Sequence, residues 1–142
     1  MSIWFHQPDV EALNRLHHNT AIERLGIVIT EVGEDFLRGT MPVDARTMQP
    51  FGLLHGGASV LLAETLGSVA AMSCVDPRAF YCVGLDINAN HVRGAKSGIV
   101  TGTARPFHLG RTSHVWDIHI ADEAEYLICV ARLTILVVHK AG

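Results

Sequence analysis

The chain has 142 residues, of which 49% are hydrophobic and 18% charged, with a formal net charge of −3 at pH 7. This length fits one compact domain with a real core, so we expect a single domain over residues 1–142. The negative charge gives no electrostatic reason to expect nucleic acid or an anionic membrane as a partner. The N-terminus lacks the pattern of a secretory signal, and the three cysteines lack CxxC spacing. We therefore expect reduced thiols and a cytoplasmic protein.

The first third of the chain predicts one short helix, two strands and a loop. Apolar residues recur at helical spacing in Val10–His18. The turn residues at 33–35 separate two segments, Gly26–Val32 and Phe36–Val43, that are typical of strands. A polar loop with prolines near both ends, Pro42–Gly52, follows.

A long helix is predicted next, roughly over Gly57–Cys74, and Asp76-Pro77 ends it. This helix is apolar on every side except for one carboxylate, Glu64. A helix that is apolar all round is buried in protein or in lipid, and the carboxylate together with several small or polar residues favours protein. An ionised Glu among apolar neighbours loses hydration, so we expect Glu64 to be compensated by a partner or by a function.

The rest of the chain predicts strands only, joined by short turns that favour antiparallel pairing. These strands are Phe80–Val92, Ile99–Phe107, Thr112–Ala121 and Tyr126–His139. Alternation within the first of them predicts one face made of Val83, Leu85, Ile87 and Ala89, and an opposite face made of Gly84, Asp86, Asn88 and Asn90. About six strands and one long helix predict an α+β fold in which a curved antiparallel sheet wraps the helix. A second subunit can cover any part of the helix that one sheet leaves open, which favours a homo-oligomer.

The glycine pair Gly56-Gly57 opens the long helix. The first N–H groups of a helix have no partner within it and can stabilise an oxyanion. A tight turn into a helix also uses glycine, so these residues alone leave both interpretations open. Ser68 lies four residues after Glu64 on the same face. A structural Glu paired with a buried Arg or amide is the alternative to a catalytic one.

The spacing between Gly56 and Glu64 argues for a site shared between subunits. Eight residues separate them, which is about 12 Å along a helix axis. A catalytic carboxylate and an oxyanion donor must both come within about 3 Å of one reacting group. One straight helix can hardly supply both, so we hypothesise that Glu64 of one subunit faces the Gly56 end of its neighbour's helix.

Nine histidines raise the question of a metal. No HExxH or HxxxH motif is present, and we expect His17 on the polar side of the terminal helix and His114, His119 and His139 on strand surfaces or in the tail. We therefore expect no metal. No P-loop or GxGxxG motif follows a strand, and we expect no cofactor.

Four segments in this order resemble hotdog-fold acyl-CoA thioesterases of the 4-hydroxybenzoyl-CoA type. They are Met41–Ser59, Ala63–Ser68, Gly84–Arg93 and His108–Arg111. Among these enzymes the chain is most similar to bacterial ones that hydrolyse 1,4-dihydroxy-2-naphthoyl-CoA or act in enterobactin proofreading. The resemblance covers most of the chain and implies a hotdog fold and a dimer of dimers with sites at the dimer interface.

The resemblance also implies residue roles. Glu64 matches the catalytic carboxylate, as nucleophile or as general base for water, and the N–H of Gly56 matches the group that polarises the thioester carbonyl. Gln49 and His55 match side chains that orient the carbonyl or the attacking group, and Ser68 matches a hydroxyl that positions the water or the carboxylate. The residues implied to hold coenzyme A are Gly84, His91, Val92, Arg93, Gly94, His108, Leu109, Gly110, Arg111, Thr112 and Ser113.

The expected function is hydrolysis of an aromatic or medium-length acyl-CoA, or of an aryl thioester on a carrier protein, to the free acid and thiol. A hotdog hydratase or dehydratase and a non-catalytic acyl-CoA-binding module are the alternatives. Phe51, Leu54, Val69 and Met72 can line an acyl pocket, although their spacing fits a core equally well. We expect no role for the tail, His139–Gly142.

Overall fold

The computed structural model describes residues 1–141, so Gly142 of the predicted tail lies outside the described residues. Two short helices, a strand pair, a long helix and four further strands follow one another along the chain. Their bounds are α1 Val10–Leu16, α2 Ala21–Arg24, β1 Val28–Val32, β2 Leu37–Pro42, α3 Gly56–Ser73, β3 Phe80–His91, β4 Ile99–Leu109, β5 Ser113–Ala121 and β6 Leu127–His139.

The six strands form one antiparallel sheet in the order β1-β2-β4-β5-β6-β3. Helix α3 packs against β2 to β6, and its buried residues join those of the sheet in one hydrophobic core. The predicted α+β hotdog architecture, a six-stranded antiparallel sheet around one long helix, is confirmed. None of the helices formed by residues 1–141 is long and apolar enough to cross a membrane.

Two strand glycines let α3 lie close to the sheet. A Cβ on Gly39 of β2 would lie 2.9 Å from Leu66 Cδ2, and one on Gly102 of β4 would lie 2.6 Å from Leu66 Cδ1. Both distances are shorter than real Cβ contacts, so a larger residue at either position would clash with the fully buried Leu66 side chain. The close approach fixes the position of α3, and with it the residues on its other faces.

Helix α2 was not predicted, because four residues are too few to show a helical period. Asn19 precedes it with φ 60°, a left-handed conformation that Asn tolerates better than most residues. The Thr20 hydroxyl donates to the carbonyl of His17 at 2.6 Å, and Ile27 N–H donates to the carbonyl of Ile22 at 3.1 Å. These bonds tie α2 to the end of α1 and to the start of β1, and Ile22 packs partly against the core.

The alternation predicted for β3 is wrong over its first half. A β-bulge between Gly84 and Asp86 shifts the register against β6 and reverses which residues point inward. Val83 and Leu85 are consequently exposed, at 42% and 65%. Ile87, beyond the bulge, packs against the core as predicted.

Two histidines expected at the surface are buried. His17 caps the C-terminal end of α1 and is 8% exposed, and His114 of β5 points inward and is 3% exposed. Burial lowers the pKa of both, and for His114 the neighbouring charge of His108 lowers the pKa further. Within residues 1–141, no group of three or more His, Cys, Asp or Glu side chains is arranged to hold a metal ion.

Candidate functional site

Helix α3 begins with one unpartnered N–H group. His55 is the N-cap, and its Nδ1 accepts from the N–H of Gly57 at 2.8 Å. The carbonyl of His55 accepts from Ala58 at 3.0 Å and from Ser59 at 3.2 Å. Among the described residues, the N–H of Gly56 has no acceptor. Because Nδ1 of His55 is an acceptor, the ring proton of the neutral imidazole lies on Nε2.

Gly56 lines a cavity of about 390 Å3. Predicted site residues from three segments of the chain meet in its lining: Gln49, Gly56 and residues 91–94. The full lining is Gln49, Leu53, Leu54, Gly56, Ser59, His91, Val92, Arg93, Gly94 and Ile128. Nε2 of His91 lies 2.9 Å from the point that a Cβ on Gly56 would occupy, so a larger residue would crowd the His91 ring. The His55 ring is exposed and does not line the cavity.

Gln49 presents a donor at this cavity. Its side-chain Oε1 accepts from the N–H groups of Phe51 and Leu53, which closes the loop from 49 to 53. With the oxygen engaged, the side-chain NH2 is the part of Gln49 that can serve a ligand. The cavity therefore combines the free N–H of Gly56 with a side-chain amide donor, an arrangement suited to a carbonyl oxygen or an oxyanion.

Arg93 is held by an aromatic ring that the sequence did not indicate. Its guanidinium lies over the Tyr126 ring, with Cζ 3.9 Å from the ring centroid. Tyr126 lies in the turn before β6, 33 residues away along the chain, and only the folded sheet brings them together. The cation–π contact orients an otherwise exposed guanidinium, which favours its use as an anion ligand.

Glu64 lies in a separate cavity of about 320 Å3, in the middle of α3. Ala21, Ile22, Leu61, Glu64, Thr65, Ser68 and Gly84 line it. Of the predicted site residues, the structure thus brings Ser68 and Gly84 next to Glu64. Oε1 of Glu64 lies 2.7 Å from the point that a Cβ on Gly84 would occupy, so glycine leaves room for the carboxylate.

The expected loss of hydration at Glu64 is absent from the single chain, where the residue is exposed. Its face of α3 lies beside β3, the last strand of the sheet, and no strand formed by residues 1–141 pairs with the outer edge of β3. The sequence predicted burial because the neighbours of Glu64 along the chain are apolar. It could not show that this face of α3 lies at the edge of the sheet.

The second group of predicted coenzyme A residues lies at the opposite end of α3. Leu109, Gly110 and Arg111 line a third cavity, of about 410 Å3, together with Cys74 at the C-terminal cap of α3. The 18 residues of α3 span about 27 Å. Within one chain, the group at 91–94 therefore lies with Gly56, and the group at 108–113 does not.

The four candidate acyl-pocket residues do not come together. Phe51 is 89% exposed, and Leu54 lines the cavity of Gly56. Val69 packs against the core, and Sδ of Met72 accepts from the N–H of Cys82 at 3.1 Å. None of the four lines the cavity that holds Glu64.

Comparisons with known proteins extend over both halves of the site. The family model of the thioesterase superfamily matches residues 51–129, a range that contains Gly56, Glu64 and both groups of predicted coenzyme A residues. The 1,4-dihydroxy-2-naphthoyl-CoA hydrolase of Escherichia coli (strain K12) is 51% identical over 132 residues, covering 93% of this chain and 96% of that enzyme. The proofreading thioesterase EntH of Cronobacter sakazakii is 50% identical over 133 residues, covering 93% and 96%. The crystal structure of a mutant of the thioesterase PA1618 from Pseudomonas aeruginosa matches with a TM-score of 0.97 and 52% identity, covering 98% of this chain and 100% of that one.

Proposed function

Because the chain belongs to the thioesterase superfamily, we propose that it hydrolyses an aromatic or medium-length acyl-CoA to the free acid and CoA. An aryl thioester on a carrier protein is the other substrate that fits this chemistry. The chain is a thioester hydrolase by its family, and its relatives include a hydrolase of an aromatic CoA ester. The family therefore favours hydrolysis over the hydratase and the non-catalytic module.

The observation that carries the mechanism is the separation of the carboxylate from the oxyanion donor. Glu64 and the free N–H of Gly56 lie in different cavities, on one rigid helix and about 12 Å apart along its axis. We propose that each active site combines Glu64 of one subunit with Gly56 of another.

Strand β3 provides the surface on which a second copy can dock. It is an edge strand of 12 residues, and Tyr81, Val83 and Leu85 are exposed along it. An edge with free backbone groups and apolar side chains is a template for pairing with another chain. The same strand carries Gly84 beside Glu64 and His91 beside Gly56. A copy that covers β3 would thus lie against both halves of the site, and a dimer of dimers is the assembly we propose.

In the proposed reaction, Glu64 either attacks the thioester carbonyl carbon or removes a proton from a water that attacks it. Ser68, one turn further along α3, would hold that water or the carboxylate. The negative charge that develops on the carbonyl oxygen would be stabilised by Gly56 N–H and the Gln49 amide. Breaking of the carbon–sulfur bond then releases the thiol, which takes its proton from Glu64 in the water route and from solvent in the direct route. In the direct route, water hydrolyses the anhydride formed between the acyl group and Glu64, which frees the acid and restores the carboxylate. The His55 ring does not line the Gly56 cavity of the single chain. We propose that its Nε2–H serves as a further donor to the substrate in the assembled site, next to the start of α3.

The cationic residues would bind the coenzyme A portion of the substrate. Arg93, oriented by Tyr126, and Arg111 are both exposed and can form charge-assisted hydrogen bonds with phosphates. They lie at opposite ends of α3, so one substrate would meet Arg93 of one subunit and Arg111 of another. The three cysteines are free, which supports a reducing compartment such as the cytoplasm.

Hydrolysis is tested by mixing the protein with benzoyl-CoA and following the free thiol with a thiol reagent. Burial raises the pKa of Cys74 to about 12 and that of Cys82 to about 11, so these thiols stay protonated and react slowly at neutral pH. Glu64→Gln keeps the size of the side chain but removes the base. We expect it to lower kcat at least about 100-fold without lowering the melting temperature. Wild-type turnover by Glu64→Gln would contradict the proposed role of Glu64.

A further inference from the structure

Helix α2 forms one wall of the cavity that holds Glu64. It contributes Ala21 and Ile22, and Leu61 of α3 adds a third apolar side chain. Ile22 packs partly against the core, and this contact anchors the short helix. The wall beside the carboxylate is therefore fixed and apolar, and α2 has no assigned role so far.

The chemistry of a thioester determines what must enter this cavity. The carbonyl carbon is bonded to the sulfur and to the first carbon of the acyl group. Glu64 or its water must come close to that carbonyl carbon in order to attack it. The coenzyme A arm and the acyl chain both start about one or two bond lengths from the same carbon, so both must begin close to Glu64. In the proposed site, the sulfur leads to the coenzyme A arm on the side of Gly56. The acyl group is then directed into the space that remains beside Glu64.

We infer that Ile22 and Ala21 of α2 limit the size of the acyl group, so that α2 determines part of the substrate specificity. This inference rests on the proposed thioesterase site. Ile22 lines the cavity with a large side chain that a smaller residue would shorten, and Ala21 lines it with a small side chain that a larger residue would extend. Thr65 and Ser68 add polar groups to the lining.

A competing path runs along α3 towards its C-terminus. Met72 lies two turns beyond Glu64 and is 36% exposed, so an acyl group could follow the helix in that direction once a second subunit covers it. The two paths are lined by different residues. Ile22 and Ala21 line the Glu64 cavity, whereas Met72 does not. Substitutions in the two places therefore distinguish them.

The test is the ratio of kcat/KM for 2-naphthoyl-CoA to that for acetyl-CoA. We expect Ile22→Ala to raise this ratio about tenfold and Ala21→Leu to lower it about tenfold, since a few methylene groups in an apolar pocket change discrimination by this order. Leu25→Ala is the matched control, because Leu25 is also partly buried at the end of α2 but does not line the cavity. It should lower the melting temperature as Ile22→Ala does and leave the ratio unchanged.

The outcomes separate this inference from the proposed function. An active wild-type protein whose ratio stays within about twofold in both α2 variants overturns the inference and leaves the thioesterase site standing. The same holds if Met72→Ala changes the ratio and the α2 variants do not. A wild-type protein that releases no thiol from benzoyl-CoA, 2-naphthoyl-CoA or acetyl-CoA overturns the proposed acyl-CoA hydrolysis, and the inference with it. Ala21 is exposed, so Ala21→Leu carries the test even if Ile22→Ala fails to fold.

Discussion

Glu64 occupies the space that a side chain on Gly84 would need, with its Oε1 2.7 Å from the position of that missing Cβ. The position of the Glu64 carboxylate on α3 therefore depends on the absence of a side chain at Gly84 of the edge strand β3. Because Gly84 is exposed and the nearest atom belongs to the end of a flexible side chain, a methyl group there would displace the carboxylate rather than the backbone.

Gly84→Ala should therefore lower kcat and leave the fold intact. A displacement of about 1 Å at a catalytic group can reduce the rate about 100-fold. The measurements are kcat on benzoyl-CoA and the melting temperature. Asn88→Ala, at another exposed position of β3, controls for general effects on the strand. Unchanged kcat in Gly84→Ala would show that the position of Glu64 in this structure is not the one used in turnover.

Substitutions at Gly56 separate its N–H from its lack of a side chain. Gly56 is the first residue of α3, a position where proline is tolerated, and His55 before it has φ −71° and ψ 130°, which suits a following proline. Gly56→Pro removes the N–H, whereas Gly56→Ala keeps the N–H and adds the same Cβ beside His91. We expect Gly56→Pro to have a kcat about 100-fold to 1,000-fold below that of Gly56→Ala. Equal kcat values in the two variants would rule out this N–H as the oxyanion donor.

His55 has two separable functions, one for each ring nitrogen. Its Nδ1 caps α3 through Gly57 N–H, and loss of such a cap costs about 1 kcal/mol of unfolding free energy. His55→Ala should lose both stability and activity. His55→Asn, which can accept the same N–H, should recover the stability but not the activity, since Nε2–H is gone. Chemical denaturation and steady-state kinetics test this, and full activity in His55→Asn would limit His55 to a capping role.

The buried histidines predict a loss of stability in mild acid. Burial lowers the pKa of His17 and of His114 in the folded protein, while in the unfolded chain both titrate near pH 6.5. Below about pH 6.5 the unfolded state thus binds more protons, and the free energy of unfolding falls with pH. Denaturation of the wild type and of His114→Phe between pH 8 and pH 5 measures the effect. The free energy of unfolding should depend less on pH in His114→Phe than in the wild type. An identical slope against pH would show that His114 does not contribute to the loss of stability in acid.

Long elements could be predicted from the sequence because their periods are long enough to detect. The bounds of α3 were predicted within one residue, and β4 to β6 were predicted within two residues at each end. Helix α2 has four residues and no period, and the bulge at Gly84 reverses the face of β3 without a signal in the residue types. The burial of His114 could have been predicted, because it alternates with Trp116, Ile118 and Ile120, all fully buried.

The site was predictable to the extent that it lies in continuous segments. Gly56, Glu64 and Ser68 follow from one helix, and the rise of that helix already indicated that Gly56 and Glu64 cannot act together in one chain. The residues that come from distant segments were missed: Tyr126 beneath Arg93, and Ile22 beside Glu64. Their contacts depend on strand order and on α2, neither of which has a local sequence signal.

Mixed dimers test most directly whether Glu64 and Gly56 act across subunits. Glu64→Ala and Gly56→Pro chains with different tags are co-expressed, and species carrying both tags are isolated. If each site takes Glu64 from one subunit and Gly56 from the other, every mixed dimer within the assembly holds one intact and one doubly defective site. The doubly tagged protein should therefore show about a quarter to a half of wild-type kcat, far above either parent. Each parent protein alone should be nearly inactive. A mixed dimer as inactive as its parents would show that both residues must come from the same chain, and would contradict the shared site.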